Sequence, residues 1–485
     1  MIKNGITLLS AYDPESRCRK AANAVAVRDK TLYLCPSPLY GYGLDTLLAN
    51  LESCPNSAIL CIEADPELYE ISFKTNIPAD KKLRITNICK IDKLYEFVRK
   101  EWGARTFRRV EMVKLTGGWQ LFSGLYLSLL DALNQEIAND WSNVLILAKL
   151  GRLYIRNLLK NLSIIPNRKS IGELSMGDSS VLVLGAGPSL DKILDNLPEK
   201  RDYKIICVDT CIGALKDRNI VPDLVVILES QHWNLRDFVG CKGWNVPAAM
   251  DLSALPQSGN ILAGQGYIFM TPWTELRVFE RLKNANLLPN IISPLGSVGL
   301  TAMEIAGRIT TGKITHAGMD FSFTIDKSHA RGTPAHKHKL NNHNRFGGLL
   351  DTAAFGAGIV RDGVNYTNPV MRGYKKLFDK EFGGNSKTAS PQKPANKYPP
   401  AKEDINNFIK GEIERLQELK DMLSGEKTIQ KERLHILINE CDYLWAHFPD
   451  YAGGASPNYE DLSFLNRIRI EIDYSLILLE SLLSA

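Results

Sequence analysis

The chain has 485 residues, of which 44% are hydrophobic and 23% charged, values ordinary for a globular protein of about two to four domains. Its formal net charge of +5 is small for this length and argues against a nucleic-acid binder. No stretch approaches the ~20 consecutive apolar residues that span a bilayer, and the nine cysteines are scattered without a C-x-x-C pair, so we expect a cytoplasmic protein without membrane contact.

The first 165 residues are predicted to form a Rossmann-like α/β domain. Residues 31–35 and 58–65 have the composition of strands, and leucines at helical spacing lie between them. Gly41-x-Gly43 and the acids that end the second strand would suit a nucleotide and its ribose. Two glycines are a weak signal, so we favour a structural domain without this site. A connecting helix is predicted over residues 143–165.

Residues 166–384 are predicted to form a doubly wound parallel sheet. Four apolar runs alternate with helical segments, as parallel strands and their crossover helices do: 181–184, 203–208, 224–228 and 313–317. Ligands of such sheets bind at the carboxyl ends of the strands. We therefore expect one site there, composed of the turn at Gly185, Asp209 with Thr210, Glu229 and Asp320.

The first of these strands leads into a glycine turn, Gly185-Ala186-Gly187-Pro188-Ser189-Leu190. Pro188 stands where a helix tolerates proline best, in its first turn. The free N–H groups of a helix start bind anions, and Ser189 adds a hydroxyl. The turn therefore predicts an anion or nucleotide site, although it lacks the third glycine of the dinucleotide fingerprint.

The C-terminal part differs in composition. Residues 385–402 are rich in Pro, Ser, Lys and Asn and are predicted to be a linker or a long loop. Residues 403–485 are predicted to form a helical domain with amphipathic helices at 405–423, 428–447 and 461–483. These helices would serve as a cap or as an assembly module through which the protein oligomerises.

Five motifs of the central domain occur in the order found in a known family: 185–190, 209–210, 221–226, 293–299 and 318–323. In this respect the chain resembles the motility accessory factor family of bacterial flagellin glycosyltransferases, whose central domain is similar to bacterial sialyltransferases. The resemblance covers roughly residues 175–375. It implies transfer of a nonulosonic-acid-type sugar from a CMP donor to a serine or threonine hydroxyl, with flagellin or another protein as the acceptor, and identifies no cofactor.

The same superfamily includes MptE-like hydroxymethylpterin diphosphokinases, which are the main alternative. Diphosphoryl transfer requires Mg²⁺, and therefore carboxylates at the phosphate end of the sheet. In that branch closely spaced aspartates follow the third strand, whereas here Glu229 is the one acid of Leu228-Glu229-Ser230-Gln231. The departure favours glycosyl transfer and leaves open whether Glu229 binds a metal or a ribose or sugar hydroxyl. A non-catalytic nucleotide-binding or assembly protein is a third hypothesis.

The glycosyltransferase hypothesis places the donor against two turns and the end of the second strand. The glycine turn would receive phosphate or ribose, and Asp209 with Thr210 would contact nucleotide or sugar. The resemblance to sialyltransferases puts the leaving phosphate at a helix that starts near Val298. Ser297 as a plain helix N-cap is the alternative. The expected donor-binding residues are Gly185, Gly187, Pro188, Ser189, Asp209, Thr210, Gly296 and Ser297.

A basic segment, residues 327–345, follows Asp320 and is predicted to be a loop over the site, where its cations would suit an anionic donor. Five of the eight histidines fall between positions 316 and 343. The acceptor hydroxyl must lose a proton, and histidine titrates in the right range to take it. His329 is the first choice because it is nearest the strand end, and its match to the sialyltransferase base is positional only.

His336 and His338 are alternatives to His329 as the base. A metal site at these two histidines would need further ligands, so no metal ligand is predicted, and a solvated basic loop remains an alternative for the whole segment. The predicted catalytic residues are His329, Asp320 and Glu229.

Aromatic residues near these positions could stack on a sugar or a base: Trp233, Trp273, Phe321 and Phe323. Most buried aromatic residues belong to the core. Trp233, which follows Glu229 closely, is the best of these candidates.

Overall fold

The computed structural model describes residues 1–74, 79–103, 105–345, 352–356, 358–383, 398–424 and 431–484. The chain divides into two units. The N-terminal unit comprises Met1–Lys149 and Phe448–Pro457, and the main unit comprises Leu150–His447 and Asn458–Ala485. The domain boundaries predicted at residues 165, 384 and 402 stay predictions.

The N-terminal unit alternates strands with helices. Its elements are β1 (Ile2–Lys3), β2 (Ile6–Thr7), α1 (Pro14–Asn23), β3 (Thr31–Pro36), α2 (Leu44–Asn50), β4 (Ala58–Ile62), α3 (Pro66–Lys74), β5 (Leu83–Thr86), α4 (Ile91–Trp102), β6 (Arg109–Met112) and α5 (Ser123–Asn161), the last of which continues into the main unit. The sheet has the order β5-β4-β3-β6, and its neighbouring strands are parallel. This confirms the Rossmann-like α/β prediction.

Helix α5 starts about twenty residues before the predicted connecting helix. Tyr126, Leu129, Leu133 and Ile137 are all buried and recur at helical spacing, so the first half of α5 covers the apolar face of the sheet. These apolar positions are themselves the signal of an amphipathic helix, so this half of α5 could have been predicted from the sequence.

The carboxyl ends of β3 and β4 are filled by the protein's own side chains. Ser37 Oγ donates to Oε2 of Glu63 at 2.6 Å, and burial raises the pKa of Glu63. The carboxylate of Asp65 binds Lys3 at 2.6 Å. A side chain at Gly118 would overlap Ser37. The two acids expected to suit a ribose are thus engaged within the unit, and the structural role that we favoured for it stays a prediction.

The main unit follows the same alternation. Its elements are β7 (Lys169–Ser170), β8 (Val181–Leu184), α6 (Leu190–Leu194), β9 (Lys204–Val208), α7 (Ile212–Lys216), β10 (Leu224–Ile227), β11 (Ala248–Asp251), β12 (Gly266–Phe269), α8 (Arg277–Asn284), α9 (Val298–Ile309), β13 (Ile314–Ala317), β14 (Phe323–Thr324), α10 (Pro334–Asn341), β15 (Val360–Asp362), β16 (Asn365–Thr367), α11 (Pro369–Phe382), α12 (Lys402–Ser424), α13 (Lys431–Glu440), α14 (Pro449–Ala452, within the N-terminal unit) and α15 (Leu462–Leu483).

Seven parallel strands form the central sheet in the order β13-β8-β9-β10-β11-β12-β7. The predicted doubly wound sheet is therefore confirmed. Strands β9 and β10 are apolar because helices cover both faces of such a sheet. The chain leaves β8 toward β9 and later returns as β13 on the other side of β8. This reversal opens a crevice between the carboxyl ends of β8 and β13, where ligands of such sheets bind. We call the carboxyl ends of β8 to β13 the carboxyl edge.

Of the three C-terminal helices, the second differs most from its predicted range. Helices α12 and α15 match the predicted ranges and pack against each other. The predicted helix 428–447 is shorter, since α13 ends at Glu440 and a 3-10 turn at Asp442–Leu444 follows. Most of the predicted linker, 385–397, lies outside the described residues. No described helix is long and apolar enough to cross a membrane.

Candidate functional site

The glycine turn joins β8 to α6 and lies against the chain that leaves β13. The amide of Gly187 donates to Gly318 O at 2.9 Å, and the amide and hydroxyl of Ser189 donate to Oδ2 of Asp320 at 3.2 and 3.0 Å. A side chain at Gly187 would overlap that carboxylate, so glycine is required here. The predicted residues Gly187, Pro188, Ser189 and Asp320 are thus brought together.

This geometry changes what the turn can do. The expected site depended on free N–H groups at the start of a helix. Here the amides of Gly185, Gly187 and Ser189 are bonded within the protein, and α6 has only five residues. The Asp320 carboxylate occupies the place expected for an anion. Phosphate binding at this turn therefore stays a prediction without support from free amides.

The start of the basic segment is fixed beside the glycine turn. The amide of Ala330 donates to Ala186 O at 2.9 Å, which places the neighbouring residue His329 next to the turn. Nδ1 of His329 lies 3.2 Å from Oγ of Ser328, and the imidazole is half-buried. The structure thus brings His329 to the same end of β8 as Asp320.

Three cations of this segment, Lys327, Arg331 and Lys337, are paired with carboxylates. Buried Asp191 of α6 binds Lys327 Nζ at 2.6 Å and accepts from the Arg331 amide at 2.9 Å. Burial alone would raise the pKa of Asp191, but these contacts lower it. Lys337 pairs with Asp217 at 3.0 Å. These contacts anchor the segment to α6 and to the end of α7, and the expectation that its cations face an anionic donor stays a prediction.

The segment also contains an element that was not predicted. Residues Pro334–Asn341 form helix α10, with proline in its first turn. The predicted loop is therefore wrong for these residues. The prediction took Pro334 and the following asparagines as breakers, whereas proline at a helix start is compatible with the fold. His336 and His338 lie on this helix, and burial lowers the pKa of His336.

Two carboxyls lie together after β9 and β10. Asp209 is buried, and its Oδ1 accepts from the Thr210 amide at 2.8 Å. Nδ2 of Asn234 donates to Asp209 Oδ2 at 2.8 Å and to Asp237 Oδ2 at 3.1 Å. Burial raises the pKa of Asp209 to about 6, and burial together with the charge of Asp209 raises that of Asp237 to about 7. Glu229, exposed after β10, adds to the negative field around both carboxyls.

A third buried carboxyl, Asp251, ends β11. It accepts from the amide and hydroxyl of Ser253 at 2.7 and 2.5 Å and from the Thr271 amide at 2.6 Å. Burial raises its pKa to about 6. The phenol of Tyr154 on α5 lies within the electrostatic range of Glu229 and Asp251, and burial and these charges raise its pKa to about 12.

The second predicted donor turn precedes α9. Gly296 has φ of 73°, and a side chain there would meet the Tyr374 ring at 3.0 Å. Ser297 is the N-cap, but within the described residues its side chain makes no capping hydrogen bond, so the plain N-cap alternative lacks its stabilising contact. The sulfur of Met319 approaches both Gly185 and Gly299, at 3.0 and 2.7 Å from an ideal Cβ. Met319 therefore joins the two predicted donor turns.

The predicted aromatic candidates have different environments. Trp233 is 70% exposed, with the Arg236 guanidinium 5.5 Å from its ring centre, so it is not a core residue. Trp273 packs between Tyr154 and Phe279 with ring centres 5.1 Å apart in both pairs. The other two candidates pack within the unit, Phe321 on Phe378 and Phe323 on Tyr366.

Several polar residues of the carboxyl edge were missed from the sequence: Tyr154, Asn234, Asp237, Asp251 and Tyr374. Asp251 could have been found by the rule that identified Asp209, because it is an acid at the end of an apolar run. Asn234 and Asp237 lie in a 3-10 turn and its end, where no periodic pattern marks them. In the described ranges, His, Cys, Asp and Glu form no group of three or more that could hold a metal ion.

Comparison with known proteins gives three similarities. Residues 156–326 match the family described as 6-hydroxymethylpterin diphosphokinase MptE-like. The whole chain is 27% identical to an uncharacterized protein of Treponema pallidum (strain Nichols), over 95% of that protein. It also has a TM-score of 0.47 and 14% identity to the MAf glycosyltransferase from Magnetospirillum magneticum AMB-1, covering 96% of this chain and 82% of that one.

The structural similarity is too distant to carry an activity from one protein to the other. The family match covers the sheet from β7 to β13, both predicted donor turns and Asp320. The resemblance to the MptE-like superfamily is therefore confirmed for residues 156–326.

Proposed function

We propose that this protein is a glycosyltransferase that moves a nonulosonic-acid-type sugar from a CMP donor to a serine or threonine hydroxyl, with flagellin as the acceptor. The observation that carries the proposal is the burial, the raised pKa values and the hydrogen bonding of the carboxyl groups at the carboxyl edge. Asp209 and Asp251 are buried and Asp237 is half-buried; all three have raised pKa values and accept N–H or O–H hydrogen bonds, and Asp320 binds Ser189. Such an edge suits a neutral, hydroxyl-rich ligand better than a cluster of metal-bound phosphates.

The reaction requires a base and a place for the leaving phosphate. His329 would accept the proton of the acceptor hydroxyl, whose oxygen then bonds to the anomeric carbon. The bond from that carbon to the phosphate oxygen breaks, and CMP departs with the electron pair. Ser297 and the start of the twelve-residue helix α9 would stabilise the added negative charge. Asp320 would act by positioning the glycine turn through Ser189, and Glu229 by binding a hydroxyl of the donor.

The test is CMP release from a CMP-linked nonulosonic acid in the presence of purified flagellin. We expect His329→Ala to lower kcat/KM by about 10²–10⁴-fold, the usual contribution of a positioned base. His435→Ala is the matched control, because His435 stacks on Tyr459 outside the MptE-like segment. Unchanged turnover in folded His329→Ala would remove His329 from the mechanism. Failure of the wild-type protein to release CMP would remove the proposal itself.

A diphosphokinase is the second candidate, and the family match of residues 156–326 favours it. The fit of Mg²⁺ is poor, because most carboxyl oxygens of this edge already accept hydrogen bonds. Glu229, Asp237 and Asp320 each use one carboxyl oxygen in the hydrogen bonds described above, so each offers a metal its second oxygen at most. Magnesium-dependent conversion of ATP to AMP with a hydroxymethylpterin would establish this alternative. A thermal-shift comparison of CMP with ATP separates the two candidates first, and binding of either without turnover would indicate a non-catalytic protein.

A further inference from the structure

The polar cluster after β9 and β10 contains buried acceptors that the protein does not satisfy. Asn234 is 3% exposed, and its amide nitrogen bridges Asp209 and Asp237. Within the described part of the chain, Oδ1 of Asn234 has no hydrogen-bond partner. The same is true there of Oγ of Ser230, which is 1% exposed and follows Glu229. Buried polar atoms without a partner are rare, and they indicate a group that binds there.

The atoms define the chemistry of that group. An amide oxygen and carboxylate oxygens only accept hydrogen bonds, whereas the Ser230 hydroxyl can donate or accept. The ligand must therefore supply several donors. The part of the ligand that lies here must also carry no negative charge, because burial raises the pKa of Asp209, and burial together with the charge of Asp209 raises that of Asp237. Neighbouring hydroxyls of a sugar ring meet both conditions, and a phosphate meets neither.

We propose that Asp209, Ser230, Asn234 and Asp237 form a subsite for the hydroxyls of a sugar ring, either the ribose of the nucleotide or the sugar that it carries. This proposal rests on the proposed function, since it assumes that a nucleotide sugar binds at the carboxyl edge. Asp237 becomes a specificity-determining residue. The phosphate would then lie away from this cluster, toward Ser297.

The experiment is titration calorimetry of the full chain with paired probes. The pairs are CMP with 2′-deoxy-CMP, ATP with 2′-deoxy-ATP, and a CMP-linked nonulosonic acid with CMP. We expect the wild-type protein to prefer the hydroxyl-bearing member of at least one pair by about tenfold or more, the value of a hydrogen bond to a charged group. Asp237→Ala should abolish that preference and leave the affinity for the other member unchanged.

Two variants serve as references. Asp237→Asn keeps an acceptor for the Asn234 amide and should retain part of the preference. It therefore tests the subsite even if Asp237→Ala fails to fold. Asp202→Asn changes an exposed carboxylate two residues before β9, at the opposite end of the strand, and should retain all of it.

The outcomes separate the two proposals. Loss of the CMP preference assigns the subsite to ribose, and loss of the nonulosonic-acid preference assigns it to the transferred sugar. A preference that survives in Asp237→Ala, or an equal loss for both members of a pair, overturns the subsite while CMP release can still stand. A preference confined to the ATP pair supports the subsite and overturns the proposed function. No binding of any probe overturns both.

Discussion

The contact between Gly187 and Asp320 can be tested by a single methyl group. In Gly187→Ala the new Cβ would overlap Oδ2 of Asp320 and lie 2.8 Å from the carbonyl oxygen of Gly318. The carboxylate can turn away, but it then loses its bonds to Ser189. The carbonyl cannot move far because it accepts from the Gly187 amide at 2.9 Å. Overpacking of about 1–3 kcal/mol and two lost hydrogen bonds of about 1 kcal/mol each predict destabilisation of about 3–5 kcal/mol.

Denaturant unfolding, followed by tryptophan fluorescence, measures this change. In an Asp320→Ala background the same substitution should cost at least about 1 kcal/mol less, because the overlapping carboxylate is gone. Gly307→Ala is the matched control: it lies inside α9, where an added Cβ would meet nothing within 4 Å among the described atoms. That control should be neutral or stabilise by about 0.5–1 kcal/mol. Equal effects at positions 187 and 307, or full additivity with Asp320→Ala, would refute the close contact.

Three further predictions concern buried carboxylates. Asp191→Asn should weaken the contacts that anchor residues 327–331. The Arg331 amide donates to Asp191, so its hydrogen exchange should become about tenfold faster. Unchanged exchange would contradict the anchoring. Glu412→Ala should lower the free energy of unfolding by about 3–5 kcal/mol in denaturant titration, because it removes the buried carboxylate that pairs with Arg281. A decrease below about 1 kcal/mol would contradict this. Since the folded pKa of Asp251 is about 6 and its ordinary value 3.8, its contribution to stability is complete below pH 4 and lost by about pH 6. The stability of Asp251→Asn relative to wild type should therefore rise across that window, and a flat difference would show that Asp251 does not titrate there.

Three of the strands that could be predicted in the main unit have residues that are buried on both faces. β8, β9 and β10 are continuous apolar runs, and such runs bounded by polar residues identify inner parallel strands. β11 was not predicted because its Ala248-Ala249-Met250-Asp251 sequence has low β propensity. Its neighbours on both sides, and not its own residues, determine its conformation.

From the sequence, only those site residues that directly follow the carboxyl ends of strands could be predicted. The rule for parallel sheets correctly placed Asp209, Glu229 and Asp320 at the same edge. It could not show that Asp320 binds Ser189, 131 residues earlier, because that contact requires the return of β13 to the side of β8. Nor could it show that Asn234 bridges two carboxyls, since the bridge depends on side-chain positions in a 3-10 turn.

These contacts also favour one of the two turns as the place for the phosphate of the proposed donor. At the glycine turn, a phosphate would have to displace the Asp320 carboxylate, which has the same charge sign and already uses the Ser189 amide and hydroxyl. Helix α9 is longer than α6, so its first turn carries more of the helix dipole, and Ser297 stands at its N-cap. Met319 packs against both turns. The glycine turn is therefore better suited to fix the chain that leads to His329 than to bind an anion, and the proposed donor would place its anionic end at α9.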